Sequence, residues 1–169
     1  MRYSPAALAL TMLLAVTGSA GSAKVAAPSV DPRAQALLQD GRAALARGEV
    51  DAATDSFEAA LAVDPGSVDT FLELGDAARR AGLQGKAIHY YRVALDRDPN
   101  NLAAISGEGG AMVEKGALEK AKANLARLEG LCGRGCGATQ QLAAAIAKGP
   151  APRVVSADAV KPTPEVEAN

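Results

Sequence analysis

The stretch Ala34–Asn101 repeats itself after 34 residues. Gly41 and Gly75 stand 34 apart, as do Gly48 and Gly82, Ala53 and Ala87, Phe57 and Tyr91, Ala60 and Ala94, Leu61 and Leu95, Asp64 and Asp98, and Pro65 and Pro99. A third copy continues the series through Gly109, Gly116, Ala121 and Leu125. A period of this length, with small, aromatic and proline residues at fixed offsets, restricts the chain to stacked helical hairpins. One hairpin cannot bury its apolar face alone, so each needs the next. The expected fold is all-α: an α-solenoid of three helix–turn–helix repeats, about 34–67, 68–101 and 102–135, closed by a capping helix at about 138–147.

The helix ends are marked by local chemistry. Asp31–Pro32 reads as an N-cap followed by proline at the first helical position. Gly48, Gly82 and Gly116 suit left-handed turns between paired helices. Pro65 and Pro99 have no amide proton to continue a helix. Ser67 and Asn101 are placed to cap the next ones. The expected helices are about 32–47, 51–63, 68–81, 85–97, 102–115 and 118–131. Gly41, Gly75 and Gly109 fall inside helices, where glycine costs about 1 kcal/mol against alanine. Their recurrence implies that another helix comes close there. Ala53, Ala87 and Ala121 face the first helix of each pair for the same reason, and Phe57 and Tyr91 are expected to fill the space between one pair and the next.

The residues at these positions resemble the tetratricopeptide repeat family over about Ala34–Gly133. The family's tryptophan position holds Leu37, Phe71 and Ile105. Its usual leucine is Asp40 in the first copy and Glu108 in the third, and Gly133 stands where the third proline is expected. The resemblance implies a concave groove lined by the first helix of each pair. Counted by the repeat, that groove takes Gln35, Leu38, Arg42 and Leu45, then Asp69, Leu72, Asp76 and Arg79, then Ala103, Ser106, Gly110 and Val113. Such a groove would hold an extended peptide or a single helix. Some family members clamp a C-terminal carboxylate with lysine and asparagine here. Leu38 and Arg42 occupy those positions, so that partner class is not expected. Arg42 and Asp76 are placed to bridge each other.

Other functions lack residues to carry them. Aromatics make up 3% of the chain, tryptophan is absent, and Phe57, Phe71, Tyr90 and Tyr91 all lie within the repeats. No stacking platform for bases is expected. A net charge of −1 without a basic run leaves no footprint for nucleic acid. His89 is the sole histidine. No serine–histidine–carboxylate spacing, phosphate loop or histidine pair is present, so neither an enzyme nor a metal or cofactor site is expected.

Met1–Ala23 reads as a signal peptide, with Arg2 followed by the apolar run Ala6–Val16 and small residues ending at Ala20 or Ala23. Eleven apolar residues are too few to span a bilayer, although an uncleaved membrane anchor is the alternative. Removing the leader leaves 17 bases against 19 acids and no membrane span. Residues 24–31 then form a linker. The reading is an exported protein, periplasmic or secreted, that meets a protein or peptide partner in the cell envelope. Cys132 and Cys136 are expected to form a disulfide pinning the sixth helix to the cap. A thiol–disulfide redox protein using the same pair, or a purely structural spacer, are the alternatives. Gly137 excludes haem attachment, and two thiols without histidine are half a zinc site. Residues 149–169, rich in proline and without periodicity, are expected to be disordered.

Overall fold

A computed structural model describes residues 31–150. The expected signal peptide, most of the linker and nearly all of the C-terminal tail lie outside the described residues. Within them the chain is all-α. Seven helices follow in order: α1 (Pro32–Ala46), α2 (Val50–Val63), α3 (Val68–Arg80), α4 (Gln84–Arg97), α5 (Leu102–Lys115), α6 (Leu118–Cys132) and α7 (Gly137–Lys148).

Their ends follow the expected chemistry. The side chains of Asp31, Ser67 and Asn101 accept hydrogen bonds from the backbone amides of Arg33, Thr70 and Ala104. The first of these is the main reason the Asp31 carboxyl sits below its ordinary value. Gly48, Gly82 and Gly116 turn the chain in the left-handed region, at φ 81°, 73° and 87°. A side chain with a Cβ would be strained there, which is why glycine recurs at that offset.

Helices α1, α3 and α5 each pack on the helix that follows, successive hairpins stack, and α7 packs on α5 and α6. Helices α1, α3 and α5 also touch one another in series, whereas α2, α4 and α6 do not. The odd helices are therefore the inner, more tightly curved layer. One cluster of buried residues holds Leu38, Leu45, Phe57 and Leu74, and another holds Tyr91, Ile105, Leu128 and Leu142. Ala53, Ala87 and Ala121 are fully buried, where a larger side chain would push paired helices apart.

The mid-helix glycines serve a different neighbour from the one expected. A Cβ on Gly75 would lie 2.6 Å from the Tyr91 ring, and one on Gly41 would enter the Phe57 ring. The close approach is by an aromatic side chain, not by a helix backbone. Phe57 and Tyr91 thus seat into their own hairpins first. Tyr91 also rests on Gly107, so it alone touches the next repeat's glycine. In the third copy Leu125 cannot reach as far as a ring, and the space beside Gly109 is filled by Leu142 of α7.

The departures from the family pattern have a positional cause. Leu74 is buried against the first repeat. Its counterpart Asp40 meets no preceding repeat among the described residues and is exposed. The third counterpart, Glu108, is buried, but Arg92 reaches it from α4 at 2.7 Å and Asn124 donates to it from α6 at 2.9 Å. A buried carboxylate is tolerated only with such partners.

Candidate functional site: the concave face

The inner layer places a short run of charged side chains on one face. Glu73, Asp76 and Arg80 lie three and four residues apart on α3, so they share a helix face. Glu114, one repeat beyond Arg80, projects from α5 toward them. Asp76, Arg79, Arg80 and Glu114 line a cavity of about 380 Å³ between α3 and α5.

These charges are tied down. The Arg79 guanidinium donates to Glu114 at 2.5 Å and lies over Gly110, where a Cβ would come within 3.0 Å of it. Burial works against the Arg79 charge, but the hydrogen bond and charge of Glu114 outweigh it and hold the guanidinium protonated. Asp76 accepts the Tyr91 hydroxyl at 2.5 Å. Burial of the ring, and next the negative charge of Asp76, push the Tyr91 phenol far above its ordinary value, so it stays a donor. Arg80 donates to the Leu45 carbonyl at 2.8 Å.

The residues assigned to the groove divide. Arg42, Asp69, Asp76 and Arg79 retain exposure on the inner layer. Leu72 is half-buried against the core. Leu38 and Leu45 are 8% and 4% exposed and belong to the first core cluster, so they offer nothing to a partner. Arg42 does not bridge Asp76: it pairs with Glu73 at 2.6 Å, while Asp76 accepts the Tyr91 hydroxyl. In the third copy Val113 is buried and the Ser106 hydroxyl donates to the Ala138 carbonyl of α7. The open face is therefore turned by about one residue from the expected one, toward Glu73, Arg80 and Glu114. The charged spacing of Glu73, Asp76 and Arg80 was the available signal.

At the other end of the molecule, the Cα atoms of Cys132 and Cys136 are 5.9 Å apart, a separation that a disulfide spans. Thr139, 2% exposed, donates to the Gly133 carbonyl at 3.0 Å and sits against both sulfurs. No local pattern singled out Thr139. His89 is exposed and rests beside the Tyr90 ring. No described helix is long and apolar enough to cross a membrane.

Comparison with known proteins agrees on the architecture. Residues 33–101 match the tetratricopeptide repeat family. No curated protein matches the chain by sequence. Among solved structures, the tetratricopeptide repeat domain of Sgt2 from Aspergillus fumigatus is 26% identical, with a TM-score of 0.63 over 82% of this chain and 91% of that one. The first such domain of Spaghetti (RPAP3), bound to an HSP90 peptide, is 24% identical, with a TM-score of 0.63 over 72% and 97%. The Yersinia enterocolitica type III secretion chaperone SycD, in complex with a peptide of the translocator YopD, is 21% identical, with a TM-score of 0.59 over 68% and 92%.

Proposed function

We propose that this chain, which carries tetratricopeptide repeats over residues 33–101, is an exported interaction module that holds a peptide or helix of a cell-envelope protein on its concave face. The observation that carries this reading is the charged cavity of Asp76, Arg79, Arg80 and Glu114, built on two adjoining helices of the inner layer. Rigid elements present side chains to a partner at lower entropic cost than loops do. Two structural relatives, RPAP3 and SycD, were solved with bound peptides, which supports the same use of the fold here. Export rests on the leader-like segment Met1–Ala23, and the proposed Cys132–Cys136 disulfide fits an oxidising compartment.

Two measurements test this. Fractionation with intact-mass analysis should find a chain outside the cytoplasm that begins at Gly21 or Lys24. A photo-crosslinker placed at Arg80 in living cells should capture a discrete partner, which Asp76→Ala should weaken. Capture from position His89 but not from Arg80 would overturn the groove reading.

A further inference from the structure

The turn between α3 and α4 presents Leu83, 52% exposed and one of two exposed large apolar side chains among the described residues. The same turn position holds Glu49 in the first copy and Ala117 in the third, so the turn itself does not require leucine. Leu83 borders a cavity of about 280 Å³ with Val50, Leu74, Ala78 and Tyr90. Asp51 and Asp55 stand on its rim, and neither forms an ion pair with any described residue. Lys86, the base beside them, is taken up by Glu58 at 3.7 Å and lies over the Tyr90 ring. The cavity therefore asks for an aliphatic side chain followed or preceded by a positive charge.

The topology brings such a segment to it. Ser106 meets Ala138, and Gly109 meets Leu142, so α7 runs parallel to α5. Both helices end on the side of the molecule that carries Leu83. Lys115, at the end of α5, lines a surface cavity together with Leu83. The chain leaves α7 on that side at Gly149. Residues 151–161 then bring Val154, Val155 and Val160 together with the bases Arg153 and Lys161. From α7 to α3 is two helix spacings, about 20 Å. Eleven extended residues reach up to about 36 Å.

We propose that residues 151–161 of this same chain occupy the Leu83 cavity, with a valine against the exposed Leu83 side chain and a base beside Asp51 and Asp55. The tail then covers the most exposed apolar surface of the second repeat, and an external segment of the same chemistry has to displace it. The proposal is independent of the concave-face reading, since the two cavities share no lining residue.

Methyl and amide NMR of the full chain tests it. Val155→Asp with Val160→Asp should shift the methyl signals of Val50, Leu74 and Leu83 and leave Leu128 in place. Leu83→Ser, at an exposed position that does not hold the stack together, should move the amide signals of residues 151–161 to random-coil values. Unchanged Leu83 methyls in the first variant, or unchanged tail amides in the second, would overturn the proposal. So would shifts that vanish on dilution, since the occupant would then be the tail of a second copy.

Discussion

Tyr91 is packed between Gly75 and Gly107, so substitutions around this ring have a sign set by geometry. Gly75→Leu places side-chain atoms inside the ring's volume, and overpacking of this kind costs about 1–3 kcal/mol or more. Its thermal midpoint by circular dichroism should fall well below the parent's. Gly130, on α6, has open space around its Cβ position and an ordinary helical φ. Gly130→Ala should therefore raise stability, by up to about 1 kcal/mol, since only helix propensity changes. Equal effects at the two sites would contradict the packing described. Tyr91 also sets a pH limit. Its phenol is held neutral in the fold, with a folded value far above the unfolded one. The associated stability is thus fully present below about pH 10 and is lost as pH rises beyond it, at up to about 1.4 kcal/mol per unit. Tyr91→Phe should lose the Asp76 hydrogen bond at neutral pH but show a shallower alkaline decline than the parent in denaturant titrations.

At the scale of the element, α7 decides the fate of the third repeat. That repeat has no aromatic at the ring position, and Gly107, Gly109 and Gly110 lie within α5, each costing about 1 kcal/mol of helix stability relative to alanine. Leu142 supplies from outside what the first two hairpins supply from within. Leu142→Ala should cost about 2–5 kcal/mol. Because stability in repeat arrays is close to a sum of local and neighbour terms, the loss should appear as faster amide exchange in about Ile105–Ile146, with the first two repeats little changed. Reduction of the proposed Cys132–Cys136 disulfide should act on the same region, since the pair joins the end of α6 to the start of α7. Uniform loss of protection along the chain, or none, would separate the cysteines from this role. The helices themselves were readable from caps, glycines and prolines, because those act within four residues of one another. The filling of the Gly109 space by Leu142 was not, because it joins residues 33 apart through packing alone.

For the whole molecule, the inner layer is where a partner can be held without unfolding the stack. Arg79 and Glu114 are each about a third exposed, so their pair contributes little to stability, about 1 kcal/mol at most. Arg79→Ala should leave the melting temperature within a few degrees of the parent's while reducing partner capture at the Arg80 crosslinking position. Leu38→Ala, by contrast, should lower the melting temperature, because Leu38 is part of the core. Substitution at Arg79 that melted the protein would mean that the ion pairs between α3 and α5 hold the layer together.

The all-α repeat architecture is legible in the linear pattern of residues. Period, glycine turns, N-caps and small buried alanines each act locally or recur at a constant interval, so a linear pattern carries them. The partition of each inner helix between core and open face was decided only by tertiary structure. Leu38 and Leu45 turn inward, while Glu73, Arg80 and Glu114 turn out, because the superhelical stacking rotates each helix until its apolar stripe meets both neighbours. Pairings such as Arg42 with Glu73 follow from that rotation. They depend on where two helices come to rest, and no spacing within one helix specifies it.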